Sequence, residues 1–530
     1  MKTHELIWVY PEKKPALFQA FVHEFKIHPV TAQILISRGY NTVEEAHDFL
    51  YAKLPNLYDP ELFPDMDKAV ERILQAVKLG ESILVYGDND VDGMTAAALL
   101  TEFLKTIGAK VFFGVPNRAT LKKSLIGDAL ELAKQRHGKL LITVDCGITA
   151  AKEVEELVKH GIDVIITDHH EPTSRIPHCV ATLNPKLINS TYPNRELTGV
   201  GVAFKLAHAI TNTLIEREEI SPTKIDLKYY LDLVALGTIA DMGALKGENR
   251  ILVRYGLRQM KKMKRVGLAK LFASCDLRPN ELTPSDIASK IAPKLNSLGR
   301  VADPIKGVEL LLLRDHDAAE ALAKELDLSN LKRQKVEREA SEQIEEFIAQ
   351  HPDILKDKAL VLYSDQWHPG IIAILSARIA KQYNRPTVVI SINDRVGKGS
   401  IRTIPEFPLL DVLKEQEHLL INFGGHDYAA GLTIPEENIP RFKEYFIKSA
   451  QNTLQDQDIT PKIYLDAKIH FHEITFDFME SLSLLEPFGN ENPPPILYAD
   501  TNQLWPPKVV GTQHLKFFLE QGDRTLEGIG

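Results

Sequence analysis

From about residue 67 the chain repeats one cycle: a strand-length apolar run, a turn, and a helix that stops at glycine. DKAVERILQAVKLG closes on Gly80, SILVYG follows, and TAAALLTEFLKTIG closes on Gly108. KVFFGVP, a helix near 127–137, LLITVDCG, AAKEVEELVKHG and DVIITDHH continue the series. Parallel neighbours need a crossover, and a helix supplies it, so this alternation predicts βαβ units on a parallel sheet. The expected fold class is α/β, with a parallel-sheet domain over 67–255.

Other segments change the pattern. Residues 1–66 read as a helical segment of short amphipathic pieces such as HPVTAQILISRGY and TVEEAHDFLY. Residues 256–352 read as a helical region, in which 313–350 hold no Gly or Pro and are dense in charge. That predicts a long solvated helix bridging two lobes. KALVLYS, GIIAILSARIAKQY and PTVVISI open a smaller α/β domain over 353–450. KIYLDAKIHF, ILYAD, KVVG and LKFFLEQ, split by Pro-rich turns, predict a small β domain over 461–530 with too few strands to close a barrel.

In open parallel sheets, ligands gather at the carboxyl ends of strands. Four apolar runs end there in acids or histidines. They give Asp88, Asp90 and Asp92 in YGDNDVDG, then Asp145, then Asp168-His169-His170, then Asp241 after LVALGTIA. A single Asp at such a place is ordinarily a helix N-cap or turn acid. Repetition at four ends of one domain favours a shared site instead. Clustered carboxylates resist ionising together unless a cation lies between them. An oxygen-and-nitrogen set without Cys points to Mn²⁺ or Mg²⁺, with the imidazole favouring Mn²⁺. The ligands suffice for two ions, with Asp145 able to bridge, and such pairs drive in-line phosphoryl displacement.

Composition bounds the function. Among 530 residues, 63 Lys+Arg against 72 Asp+Glu give a net charge of −9, which argues against indiscriminate coating of nucleic acid. It does not argue against a narrow basic channel, because phosphate affinity follows the local field. Arg378, Lys381, Arg385, Arg395, Lys398 and Arg402 face only Asp394 over 376–402, and Lys290, Lys294 and Arg300 face no acid over 290–300. Cys146, Cys179 and Cys275 are scattered, which suits a reducing cytoplasm and offers neither a disulfide framework nor a thiolate zinc site. No apolar run approaches the ~20 residues of a membrane span. The start MKTHELIWVYPEKK lacks the pattern of an export signal. A cytoplasmic protein without membrane contact is expected.

YGDNDVDG, TVDCG, TDHH and LGTIAD resemble, in order, the four motifs of the DHH phosphoesterase superfamily. VPNR (115–118), LTGVGVAFKL (197–206), LVALGTIAD (233–241) and PKLNSLGR (293–300) extend the resemblance to the RecJ-type branch. WHPGIIAILSARI (367–379), KGSIRTI (398–404) and FGGHDYAAG (423–431) continue it, so that it covers about 67–435. The resemblance implies a DHH and a DHHA1 domain joined by the long helix, plus an OB-like, apparently truncated β segment. It implies a 5′→3′ exonuclease for single-stranded DNA, acting in repair and recombination with two Mn²⁺ or Mg²⁺ ions. A monomer meeting a single-strand-binding protein and a helicase is the matching expectation.

By the same resemblance Asp90, Asp92, Asp145, His169 and Asp241 are metal ligands, and Asp88 is a further ligand or water contact. Asp90, Asp145 and His169 thereby belong to the catalytic set, with His170 beside the scissile phosphate. In KGSIRT, backbone N–H, hydroxyl and guanidinium donors suit a terminal phosphate. The resemblance assigns Ser400, Arg402 and Arg300 to the 5′ end, Arg118 to the strand path, and His426 to the scissile or a neighbouring phosphate. The chain departs from the pattern at Tyr86, where many members carry a ligating His, and at Asn89, which replaces an aromatic. ATLKKSLIGDAL replaces the Gly-Tyr-Gly-type loop after VPNR, with Lys122 and Lys123 keeping it basic. Two alternatives stay open: a phosphoesterase for short oligonucleotides or small nucleotides, and a non-catalytic DNA- or replisome-binding relative. The long helix and terminal β domain speak against the first, and the intact acids against the second.

Overall fold

The computed structural model describes residues 6–117, 127–301, 303–511 and 514–530. Arg118, Lys122, Lys123 and the Arg300 side chain lie outside the described residues. The chain divides into two compact units, Tyr10–Asp327 with Leu465–Gly530, and Met1–Val9 with Leu328–Tyr464.

The larger unit is built on five parallel strands, β1 (Ser82–Gly87), β2 (Lys110–Gly114), β3 (Gly138–Val144), β4 (Asp163–Thr167) and β5 (Ala181–Leu183). Their order is β2-β1-β3-β4-β5. Both faces are covered, which is why the strands read as near-continuous apolar runs. Ile83, Val85, Leu140, Ile142 and Ile165 pack in one core with helices α1 (Met66–Leu79), α2 (Val91–Thr106) and α3 (Gly199–Glu216). Leu84, Tyr86, Leu141, Val164 and Ile166 form the other core, with helices 129–135 and 151–159. The strand order reverses between β1 and β3, so a crevice opens at their carboxyl ends.

One sequence expectation is corrected here. LDLVALGTIA is not a strand but helix α4 (Leu231–Ala240), followed by α5 (Gly247–Met260). It is buried on nearly every side, so apart from Asp232 it is apolar all round and carries no period to tell helix from strand. The strands after 461 fall into separate sheets. Lys462–Tyr464 pairs in parallel with Ile7–Val9. Ala467, Ile469, Phe478 and Leu485 share a core with the helices Pro15–Phe25, Pro29–Ser37 and Val43–Tyr51. The C-terminal sheet comprises Asn502–Gln503, Lys508–Val510, His514–Gln521 and Arg524–Ile529.

The smaller unit holds a mixed sheet of β6 (Leu360–Ser364), β7 (Thr387–Asn393), β8 (Val396–Arg402), β9 (Asn422–His426) and β10 (Ala429–Pro435), ordered β9-β10-β8-β7-β6. Leu360, Leu362 and Val389 pack under helix α6 (Ile372–Tyr383), while Val361, Val388, Ile390 and Ile401 pack against Phe442 and Phe446. The long helix runs His316–Gln350. It is not solvated throughout: Ala340, Ile344 and Ile348, four residues apart, are buried in the smaller unit's core. Among the described residues no helix is long and apolar enough to cross a membrane.

Candidate active site

Each strand-end acid extends the ladder by one residue. The amide of Asp88 donates to Val144 O (3.3 Å), that of Asp145 to Thr167 O (2.9 Å), and that of Asp168 to Leu183 O (3.0 Å). The backbone is thereby fixed while the side chains reach the rim at the switch point. Asp145 does this at φ +60°, a left-handed conformation that costs a non-glycine residue energy and is kept where surroundings over-determine it.

The turn DNDVDG then feeds α2. Asp90 caps it, accepting from the Gly93 amide at 3.0 Å, and Asn296 Oδ1 accepts from the Val91 amide at 3.1 Å. A Cβ at Gly93 would sit 2.4 Å from Asp88 O, and one at Gly299 would sit 2.4 Å from Asn89 O, so both glycines are needed for the close packing of this turn. Asp92, in the first turn, is fully buried and accepts from the amides of Gly199 (2.7 Å) and Val200 (2.9 Å) at the start of α3. Those otherwise orphaned helix N–H groups, and the dipole behind them, hold the carboxylate in place.

These elements converge on one nitrogen. His169 Nε2 lies 3.1 Å from Asp145 Oδ1, 3.7 Å from Asp241 Oδ2 and 3.9 Å from Asp92 Oδ2. Asp241 arrives not from a strand but from the C-terminal end of α4. Burial first, and then the neighbouring carboxylates, push the Asp92 and Asp145 carboxyls well above their usual range. Asp241 is raised to about 7 by partial burial and by Asp90. Among the described residues Asp145 Oδ1 is buried and takes no hydrogen bond. A buried acceptor left over, inside a set of acids that repel one another, fits a divalent cation coordinated by oxygen and imidazole. Asp92, His169 and Asp241 can meet at one ion, and Asp145, His169 and His170 can meet at another point. Asp88 Oδ1 accepts from the Asn89 amide (2.6 Å) at the edge of this group.

Asp168 has a separate task. One oxygen accepts from the amides of His169 (2.7 Å) and His170 (3.1 Å) and from His170 Nδ1 (2.7 Å), while the other accepts from the Ile148 amide (2.9 Å). Its carboxyl is fully buried, yet these bonds hold it below the ordinary range. Burial opposes protonation of His170, but Asp168 overrides it and pushes the imidazole up to about 9. The Tyr86 ring belongs to the Leu84–Leu141 core, and among the described residues its buried hydroxyl has no hydrogen-bond partner.

The smaller unit places its expected residues in strands. His426, Ala429 and Arg402 are register partners across β9, β10 and β8, so all three point to the same face. Ser400, Gly431 and Gly424 form the next row on that face, where a Cβ at Gly424 would meet nothing within 4 Å. Arg402 Nη1 donates to Ile401 O (2.9 Å) and approaches Ser400 Oγ (3.5 Å), and Ser376 Oγ donates to Ser400 Oγ (3.4 Å). Burial lowers the guanidinium's affinity for its proton, and no carboxylate compensates it among the described residues. A bare patch with hydroxyl and guanidinium donors suits a phosphate.

Three matches fall along the chain in order. The DHH family N-terminal domain covers residues 82–238, the DHHA1 domain 356–452, and the RecJ OB domain 465–530. The Escherichia coli single-stranded-DNA-specific exonuclease RecJ is 32% identical over 521 residues, covering 95% of this chain and 89% of that protein. The chain belongs to the RecJ family. The Bacillus subtilis RecJ is 34% identical over 534 residues and covers all of this chain, which spans 66% of that relative's length. The crystal structure of RecJ in complex with Mn²⁺ from Thermus thermophilus superposes with TM-score 0.83 at 29% identity, covering 100% of this chain and 77% of that one. Its Mg²⁺ complex gives 0.74 at 27% identity. In this RecJ-family chain, reading motifs alone missed four contributors: Asp168 as the clamp of His170, Gly199 and Gly237 as room for the acids, and Asn296 as a second cap on α2. Only the motif strings containing them signalled anything.

Proposed function

We propose that this RecJ-family chain is a metal-dependent exonuclease that removes nucleotides from the 5′ end of single-stranded DNA in repair and recombination. The convergence of Asp92, Asp145 and Asp241 within 3.9 Å of His169 Nε2 carries this reading. Asp88, Asp90, Asp92, Asp145, His169 and Asp241 would hold two Mn²⁺ or Mg²⁺ ions, which when bound supply an activated water and charge stabilisation for the leaving oxygen. The protein's own part is positioning. Asp92 stays fixed by two α3 amides, and Asp145 by its left-handed turn, so neither must reorganise when substrate arrives. Asp168 occupies Nδ1 of His170 and leaves Nε2 to donate to a phosphate oxygen.

Ser400, Arg402 and His426 would receive the 5′-terminal phosphate and its neighbour, with Arg118 and Arg300 as further strand contacts. The division of labour we propose is a catalytic DHH domain at 67–255, a helical region at 256–352, a DHHA1 domain at 353–450 and a partial OB-like domain at 461–530. A cytoplasmic monomer working with a single-strand-binding protein and a helicase is part of the same proposal. The test is degradation of 5′- and 3′-labelled single strands and a blunt duplex with Mn²⁺. Early release of 5′ label from the single strand alone is expected; equal attack on duplex, or turnover confined to dinucleotides, would overturn it.

A further inference from the structure

Residues 250–265 contain Arg250, Arg254, Arg258, Lys261, Lys262, Lys264 and Arg265 and no acid, in a chain of net charge −9. Arg250, Arg254 and Arg258 are four residues apart on α5, and Lys261 and Lys262 continue the row past its end. The three arginines thus lie on one side of α5, about 6 Å apart along its axis, with the lysines beyond its end.

The inner end of this group is bound up in the fold. Arg250 donates to the carbonyls of Phe49, Leu484 and Leu485 and lies 3.7 Å over the Phe49 ring. Arg254 donates to the carbonyls of Leu50, Leu484 and Glu486. Burial, then Arg254, lowers Arg250 to about 9, and burial, then Arg258, lowers Arg254. The cations crowd one another.

The outer end is open. Arg258, Lys261, Lys262 and Lys264 are exposed, and among the described residues none of them forms an ion pair with a carboxylate. Arg258 lies over the Tyr255 ring at 4.9 Å. A Cβ on Gly256 would sit 2.2 Å from Leu231 O, so this end of α5 abuts the start of α4. Asp241 caps the far end of α4, about 15 Å along its axis.

We infer that the open end, Arg258, Lys261, Lys262 and Lys264, is a second phosphate-contact surface for a single nucleic-acid strand, remote from the metal centre. This rests on the proposed function insofar as DNA is the polyanion the protein meets. A close group of exposed cations suits a polymer that carries an anion at every repeat, and the guanidinium–aromatic pair offers a plane for a base. A protein partner would be anchored by large apolar groups. Among the described residues no large hydrophobic between Met242 and Leu328 is exposed.

The test replaces the four outer cations together (R258Q, K261Q, K262Q, K264Q) in the full chain. Binding of a fluorescent forty-base oligo(dT) is measured in EDTA between 50 and 200 mM salt, alongside Mn²⁺-dependent turnover of a 5′-phosphorylated dithymidylate too short to reach these cations. The long strand is expected to bind about tenfold more weakly, with a salt slope shallower by about 2–3, while dinucleotide turnover is unchanged. An unaltered affinity and slope would overturn the inference. So would loss of a poly-Glu probe's binding with the DNA unaffected, which would assign the surface to an acidic protein segment. Because the binding arm needs no catalysis, a parent protein without nuclease activity would sink the proposed function and leave this result standing.

Discussion

Gly199 and Asp145 are in such close contact that a Cβ on the glycine would lie 2.5 Å from the carboxylate's Oδ1. The same glycine's amide holds Asp92 at 2.7 Å, so one residue without a side chain sets the separation of two acids from different strands and helices. Gly199→Ala should therefore push Asp145 off its position by a fraction of an ångström or more. Activity on single-stranded DNA is expected to fall about 100-fold while far-ultraviolet circular dichroism stays unchanged. Full activity in the alanine variant would show that the contact is dispensable.

The crowded acids give a metal-free prediction. Asp145→Asn removes a buried, unbonded carboxylate oxygen from beside Asp92 and Asp241, so without metal it should melt about one to a few degrees higher than the parent. Mn²⁺ at 100 times its Kd should stabilise the parent by about 2.7 kcal/mol and the variant far less. Equal Mn²⁺ stabilisation of both, read by thermal melting, would remove Asp145 from the ligand set.

Asp168 acts through His170. Asp168→Asn should leave Mn²⁺ stabilisation intact, since Asp168 is turned to the His169–His170 amides rather than to the other acids. It should lower kcat about 10- to 100-fold with little change in KM, the effect of disturbing the partner that orients a site residue. A change confined to KM would contradict this role.

On the proposed function, Arg402 should separate end recognition from chemistry. Arg402→Ala should raise KM for a 5′-phosphorylated strand about tenfold or more and leave a 5′-hydroxyl strand nearly unaffected. Parallel losses on both ends, measured by single-turnover assays, would count against a terminal-phosphate role.

Acid sensitivity has a local source in α3. His208 is held down to about 4 by burial and by Lys205, and its buried Nδ1 has no hydrogen-bond partner. It is neutral in the fold, whereas the unfolded chain protonates it below its ordinary value near 6.5. The unfolded state thus binds the extra proton, and stability drops as pH falls from about 6.5 to 4. The loss is roughly 3 kcal/mol at most. His208→Phe should shrink the difference in urea midpoint between pH 7 and pH 4.5; an unchanged difference would locate the acid sensitivity elsewhere.

Much of this protein is written locally. The apolar runs, glycine stops and turn acids determine a parallel α/β layer and put Asp88, Asp145 and Asp168 at strand ends, because period and punctuation are properties of adjacent residues. What adjacency does not carry is which distant groups meet. LVALGTIA is apolar on every side because it is buried on nearly every side, so only packing reveals that Asp241 comes from a helix end. Asp88, Asp145 and Asp168 look alike in sequence, yet contacts from other segments decide their environments. Asp145 keeps a buried oxygen without a hydrogen bond, while Asp168 has its oxygens taken by Ile148 and the two histidines. Gly199, Gly237 and Asn296 matter for atoms far from them in the chain, Asp145, Asp92 and Val91. The sequence by itself determined the layers and the ligand types. The tertiary structure decided which acids crowd one another around His169, because that depends on distance and burial rather than on order along the chain.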